Sequence, residues 1–384
     1  MIQGKKHICF NVISDPNWHA GNIYIFNCIY ALNTLPTEER EQLFISISVK
    51  DIKEIPADII PLVDRIYIES LLNLFFFKFL KLAPSFLRNP IFNFRKIDFY
   101  YPGSNLPKKW IFNWGGWIPD FQYKYLAHLF SPNEIMDREN RNRHLAISAP
   151  ILAFSSENAI KDYFKFFPQY KGNEFLLRFV NKTNEEWLKQ NPVEVQKKLN
   201  LPDAYFIVCN QFWKHKDHGS IIRAMGILKN RNIHIDVVCT GSTKDFRNPD
   251  YFPSLIELAK SIGVESQFHV AGFISREDQI QLIRRSIAII QPSLFEGWST
   301  VVEDGRSLGK TIFLSNIDVH IEQAPPHAHY FKEQDAEELA NLIEINFKDL
   351  KPGPDLTKEK IALQDNQQLM RAFGRNIVKM ASSI

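Results

Sequence analysis

The chain has 384 residues, with 46 lysines and arginines against 43 aspartates and glutamates, 45% hydrophobic content and 16 glycines. That length exceeds one compact core and predicts two domains, and the composition is that of a globular protein rather than a disordered one. A net charge of +3 is too small to mark a nucleic-acid binder by bulk charge, so no nucleic-acid partner is expected. Cys9, Cys28, Cys209 and Cys239 fall in predicted strands and one predicted helix, with no pair at metal-ligand spacing. They read as core thiols of a reducing compartment. Residues 1–16 contain no signal-peptide core, and no window is long enough for a membrane span, so a cytoplasmic location is expected.

Residues 7–12 read as a first strand, followed by the loop SDPNWHAGN, which carries Gly21, and an amphipathic helix over 23–32. Strands follow at 43–49 and 65–68. Residues 71–96 are dense in Leu and Phe, with Lys78, Lys81, Arg88, Arg95 and Lys96 interspersed. This stretch is too short and too charged to span a bilayer. Two readings fit it: a peripheral contact on the inner face of a membrane, with basic residues at the headgroups, or a core helix and loop of the first domain. Residues 151–154 form a strand ending in Ser155-Ser156 ahead of a helix at 159–166, where a serine cap is the commoner arrangement. Residues 173–182 close the first domain, and the charged run 181–202 reads as a linker and the first helix of the second.

The second half has a regular β-α rhythm. Strands are predicted at 205–209, 235–239, 268–270, 287–290 and 311–315, with helices at 218–230, 252–262, 276–286 and 335–348 and a tail helix at 366–382. Alternation on this scale means a parallel, doubly wound sheet.

Two loops at strand ends carry candidate chemistry. After the strand at 287–290, Gln291-Pro292-Ser293 breaks the pattern, Glu296 and Gly297 follow, and a helix runs from Thr300 to about Gly309, a glycine C-cap. Backbone N–H groups at such a helix start suit a phosphate or a sugar hydroxyl. Thr300 and Glu303 stand at capping-box spacing, which gives Glu303 a structural role. Asp304 points about 100° away from Glu303 around the helix. Both acids also suit a helix N-terminus in their own right. The other loop, NQFWKHKDHGS, crowds Lys214, His215, Lys216 and His218 ahead of a helix start with Asp217 as N-cap, a sensible cradle for a diphosphate. His215 and His218 have no carboxylate or thiol neighbours at ligand spacing, and no metal is expected.

The stretch FEGWSTVVED…LG, together with FW-KHK-H, resembles the donor-site signature of the GT4 family of retaining glycosyltransferases. The resemblance is strongest over about 205–325. It implies an α/β GT-B fold, with two Rossmann-like doubly wound parallel-sheet domains facing a cleft. The domains would be 1–183 for the acceptor and 184–365 for the nucleotide-sugar donor, and helix 366–384 would return to the first. Glu296, Gly297, Trp298 and Gly309 match the family positions, and Asp304 stands where the second acid belongs, where it would accept from the donor's ribose hydroxyls with a shorter reach than Glu. Lys216 matches the lysine of the family's diphosphate clamp, while Gln211 replaces its arginine. Gly241, Gly272 and Phe273 lie in loops that close over the nucleobase in the family, and Ser299 and Thr300 belong to the helix start. Gly21 matches a glycine loop on the acceptor side, and Asp120 of WIPDFQ the cleft acid, with Pro119 where many relatives have His. Asp120 also suits an N-cap ahead of Phe121. The catalytic set implied is Glu296, Lys216 and Asp120.

The implied reaction transfers a sugar from a UDP- or GDP-linked donor to a glycan or lipid-linked acceptor, with retention and without a metal or cofactor, in surface polysaccharide or lipopolysaccharide synthesis. A nucleotide-sugar epimerase or a non-catalytic nucleotide-sugar binder of the same architecture are the alternatives. A Rossmann dehydrogenase is excluded, because DPNWHAGN lacks the Gly-x-Gly-x-x-Gly turn.

Overall fold

The computed structural model describes residues 4–13, 19–68, 97–104, 106, 113–169 and 173–384, so the Leu- and Phe-rich stretch 71–96 lies outside the described residues. The chain separates into two compact units. One comprises Met1–Phe121, Met136–Lys182 and Gln367–Ile384; the other comprises Gln122–Ile135 and Thr183–Asn366. Each is built on one parallel sheet.

In the first unit the strands are β1 (Lys6–Asn11), β2 (Leu43–Val49), β3 (Arg65–Ile68), β4 (Phe99–Tyr101), β5 (Asn113–Ile118), β6 (Ile151–Phe154) and β7 (Asn173–Leu176). They lie in the order β3-β2-β1-β4-β5-β6-β7. The helices include α1 (His19–Asn33), α2 (Pro132–Ser148), whose residues up to Ile135 belong to the second unit, and α3 (Glu157–Phe166). Ser156 is the N-cap of α3, its hydroxyl accepting from the Ala159 N–H at 3.1 Å, while Ser155 accepts from the Trp117 indole at 3.0 Å.

The second unit carries β8 (Phe206–Cys209), β9 (Val237–Thr240), β10 (Phe268–Gly272), β11 (Ile289–Gln291), β12 (Ile312–Ser315) and β13 (Ala328–Phe331). Its order is β10-β9-β8-β11-β12-β13. The helices that matter below are α4 (His218–Asn230), α5 (Tyr251–Ile262), α6 (Arg276–Arg285), α7 (Thr300–Ser307), α8 (Ala336–Asn346) and α9 (Leu356–Ser382), whose residues from Gln367 on belong to the first unit.

Side chains alternate across this sheet as strand geometry requires. Phe206, Val208, Val237, Cys239, Ile290 and Phe313 face α4, α5 and α8, whereas Ile207, Cys209, Val238, Ile289, Ile312 and Leu314 face α6 and α7. Both faces are therefore dry, which is why the strands read as continuous apolar runs. No helix among the described residues is long and apolar enough to cross a membrane.

Two elements start earlier than their sequence pattern. α9 begins at Leu356, ten residues before the tail helix read from periodicity, because its first turns are polar and are held by ion pairing rather than an apolar stripe. α1 begins at His19, so Gly21 is not a loop residue: it is buried in the first turn of the helix. The polar residues of that turn hid the start, and Asn22 there accepts a hydrogen bond from the Ile13 N–H at 3.0 Å.

Candidate functional site

The six-stranded sheet changes direction between β8 and β11. From β8 the chain winds outward through β9 and β10, then returns to lay β11, β12 and β13 on the other side. Such a switch point opens a crevice at the carboxyl ends of the two central strands, where ligands of open α/β sheets bind. Both loops singled out in the sequence leave the sheet here. Asn210, just after β8, donates from Nδ2 to Oε1 of Gln291, the last residue of β11, at 2.7 Å. The two loops are tied again by the Leu294 N–H donating to the His215 carbonyl at 2.8 Å.

Gln291 is fully buried and its amide is the hub of the site. Its Nε2 donates to Glu296 Oε1 at 2.9 Å, Ser293 Oγ at 3.1 Å and Ser299 Oγ at 3.3 Å. Lys216 Nζ reaches the same Glu296 Oε1 at 2.5 Å. Lys216 and Glu296, 80 residues apart, thus form a half-enclosed ion pair, with side chains 16% and 11% exposed. Burial would raise the Glu296 carboxyl, but Lys216, with His320 behind it, holds it below the usual carboxylate range. Oε2 has no hydrogen bond among the described residues, which leaves one acceptor of the carboxylate for a ligand.

The local backbone fits this arrangement. Asp217 adopts the left-handed conformation (φ 45°) and caps α4, its Oδ1 accepting from the Ser220 N–H at 3.4 Å and its Oδ2 from the Ser220 hydroxyl at 2.5 Å, which turns the chain so that Lys216 faces inward. Gly241 (φ 118°) follows β9, and a Cβ there would lie 2.4 Å from the Asn210 carbonyl oxygen, so only glycine lets these strand ends approach. Its N–H donates to the Gly272 carbonyl at 2.8 Å, aligning the loop in which Phe273 is 70% exposed. Gly297, Trp298 and Thr300 are half-buried, and Gln211 is half-buried at the start of the lysine loop. Leu308 is the C-cap of α7, and Gly309 (φ 60°) is the left-handed glycine just beyond it.

The two neighbouring acids of α7 turn to different partners. Glu303 directs Oε1 to Gln323 Nε2 at 3.0 Å and Oε2 to Arg306 at 3.4 Å. The capping box expected at Thr300 is not formed. Ser299 is the N-cap and makes no side-chain cap bond, while Gln323 takes both its N–H (3.0 Å) and its carbonyl (3.1 Å). The tertiary partner Gln323 has displaced the local motif. Asp304 is held by Arg276, whose Nη1 donates to Oδ2 at 2.6 Å and whose Nη2 donates to Oδ1.

Three histidines surround the pair. Burial, then Lys216, pushes His215 and His218 down to about 3, and burial pushes His320 down to about 4 against the pull of Glu296. His320 Nδ1 donates to the Ser315 carbonyl at 2.9 Å, and its Nε2 has no partner. His218 stacks on Phe212 with centroids 4.3 Å apart, and both its nitrogens lack partners. Each folded-state value lies below the unfolded one, so the unfolded chain binds more protons in acid. The stability these neutral rings carry is complete above the unfolded value and is lost as pH falls through the window below it. The loss is about 1.4 kcal/mol per pH unit for each ring between about pH 6.5 and 4. His218→Phe, which keeps the stack, should flatten the acid limb of a urea-unfolding series by one such increment and raise stability at about pH 5.

Lys214 is exposed and lines a separate depression with Asp217, Arg223 and Tyr251. Arg247 lies 4.9 Å from the Trp213 ring and 4.8 Å from the Phe130 ring. Asp120 is half-buried just beyond β5, in the first unit. No group of three or more His, Cys, Asp or Glu suited to a metal occurs among the described residues. Gln291, Arg276, Gln323 and His320 were not found from sequence. The only signal for Gln291 is a polar residue ending a buried strand, and the other three come close only through the fold.

Residues 190–358 match the family model described as glycosyl transferases group 1. The solved structure of HepE from Anabaena in complex with UDP and glucose superposes with a TM-score of 0.65 at 14% identity, over 99% of this chain and 100% of that one. Sucrose-phosphate synthase from Thermosynechococcus elongatus gives 0.63 at 14%, over 98% and 96%. WaaG, a glycosyltransferase involved in lipopolysaccharide biosynthesis, gives 0.56 at 10%, over 96% and 95%. The fold is GT-B. No curated protein sequence matches the chain. Within the GT-B architecture, the matched segment contains Lys216, Glu296, Asp304 and Arg276, the whole cluster at the switch point.

Proposed function

We propose that the protein is a glycosyltransferase that takes a sugar from a nucleoside-diphosphate donor and passes it, with retention and without a metal, to a glycan or lipid-linked acceptor. The observation that carries this is the Lys216–Glu296 pair at the switch point, with one carboxylate oxygen unengaged among the described residues. A donor brings a doubly charged diphosphate and a neutral sugar. Lys216 supplies a cation where negative charge grows on the leaving diphosphate, and Glu296 Oε2 accepts from a sugar hydroxyl. Gln211 adds hydrogen bonds but no charge, and the exposed Phe273 ring offers a face for the base. In the role implied for it, Asp120 joins Glu296 and Lys216 in the catalytic set. The UDP and glucose in the HepE structure favour a UDP-sugar, and the lipopolysaccharide role of WaaG favours a surface-glycan acceptor. The basic, Phe-rich stretch 71–96 suits a lipid-linked acceptor met at the inner face of a membrane.

The test is calorimetry and thermal unfolding of the full chain with UDP, GDP, ADP, CDP and their common sugars. A ligand at about a hundred times its Kd should raise stability by about 2.7 kcal/mol. One base class shifting the Tm while the others do not supports the proposal, and no shift with any of them removes it. Because Gln211 leaves the diphosphate less neutralised, a non-catalytic binder is the second reading. It predicts the same shift with no turnover or hydrolysis of the bound sugar.

A further inference from the structure

The acid at position 304 is the residue expected to meet the donor's ribose, yet its surroundings give it different work. Its side chain is 3% exposed and both oxygens are held by Arg276, the first residue of α6. The Arg276 side chain is 32% exposed, so what solvent access the pair has lies on the arginine. The arginine is fixed from a second direction, because its Nη1 also donates to Gln279 Oε1 at 3.0 Å, and Gln279 in turn donates to Thr240 Oγ1 at 3.3 Å. Thr240 ends β9, and the electrostatic influence of both Asp304 and Arg276 is felt at Cys209, which ends β8 one residue before Asn210. The guanidinium is therefore anchored to the same carboxyl edge of the sheet as Lys216 and Glu296. Of its five N–H groups, three are used by Asp304 and Gln279, while Nε–H and one Nη2–H have no partner among the described residues.

We propose that Arg276 is the group that meets the donor nucleotide at this edge, as a contact to its phosphate oxygens, and that Asp304 is a positioning residue that holds the guanidinium in place. This rests on the nucleotide-sugar function proposed above. The physical reasons are two. A carboxylate pinned on both oxygens and excluded from solvent is poorly placed to accept from a ribose hydroxyl. A guanidinium with two open donors matches phosphate geometry, and it restores the positive charge that Gln211 lacks at the lysine loop.

The probes are the nucleoside diphosphate found to bind the wild type and its uncharged nucleoside, titrated calorimetrically against Arg276→Gln, Arg276→Lys, Asp304→Asn and the double variant Arg276→Gln/Asp304→Asn, each checked for folding by circular dichroism. Arg276→Gln should raise the Kd of the diphosphate about tenfold or more while changing that of the nucleoside less than about twofold. Arg276→Lys, which keeps a charge opposite Asp304, should fall between it and the wild type and covers the case in which the Gln variant does not fold. Asp304→Asn should weaken the diphosphate only while Arg276 is present, so the double variant binds no worse than Arg276→Gln alone. If Asp304→Asn weakens nucleoside and diphosphate alike and does so in both backgrounds, Asp304 touches the ribose and the inference is overturned. Unchanged binding in the arginine variants overturns it as well, leaving the glycosyltransferase proposal standing. A wild type that binds none of the nucleotides removes that proposal and this inference together.

Discussion

Glu296→Gln should lower kcat/KM by at least about a hundredfold while the protein remains folded. The two side chains have the same shape, and an amide oxygen at the Oε1 position keeps the hydrogen bonds from Lys216 and Gln291. What is lost is the second oxygen. An NH2 group replaces Oε2, the one acceptor not engaged among the described residues, and the negative charge opposite Lys216 disappears. Steady-state kinetics with the donor sugar, alongside circular dichroism and thermal unfolding, provide the check. Activity within a few-fold of the wild type would mean that Glu296 is only the structural partner of Lys216.

The largest effect on stability is expected at a position with no part in the chemistry. Arg284 is 1% exposed and Glu359, from the first turn of α9, is 5% exposed. Arg284 Nε donates to Glu359 Oε1 at 2.8 Å and Nη2 to Oε2 at 3.1 Å. Its remaining donors reach the Gln190 carbonyl at 2.9 Å, the Leu188 carbonyl at 2.9 Å and Gln281 Oε1 at 2.8 Å. One guanidinium thus fastens the linker at 185–190 and the start of α9 to α6, the helix whose other end presents Arg276. Glu359→Ala strands a buried cation and should cost about 3–5 kcal/mol. For a unit of this size the Tm should fall by about 10 °C. The pair Arg284→Met/Glu359→Leu removes both charges and should recover much of that loss. A double variant no better than Glu359→Ala would show that the backbone contacts of Arg284, not the ion pair, carry the stability.

Much of the second unit was legible because its strands are buried on both faces. Phe206–Cys209 is an uninterrupted apolar run and Ile312–Ser315 is apolar up to its closing serine, each bounded by polar breaks, and periodicity finds such runs directly. β4, β5 and β13 were less visible for separate reasons. Phe99–Tyr101 has only three residues, Asn113–Ile118 carries two glycines that weaken a strand signal, and Ala328–Phe331 is an edge strand with only its last residue buried. The helix that begins at His19 was placed too late because its first turn lacks apolar residues in period, and that moved Gly21 from loop to helix.

The sequence by itself determined the alternation that makes parallel sheets, and the residue types at the ends of β8 and β11. It also determined that Glu303 and Asp304 must part, since neighbours on a helix point about 100° apart and here they turn to Gln323 and Arg276 respectively. Only the tertiary structure decided what each group meets. Lys216 and Glu296 pair because β8 and β11, far apart in the chain, are neighbours in the sheet. The local capping box lost to Gln323, and Asp304 was taken by an arginine 28 residues away. Periodicity is a short-range property that reports which face of an element is dry. The partner of a polar side chain on that element depends on strand order, which no local pattern encodes.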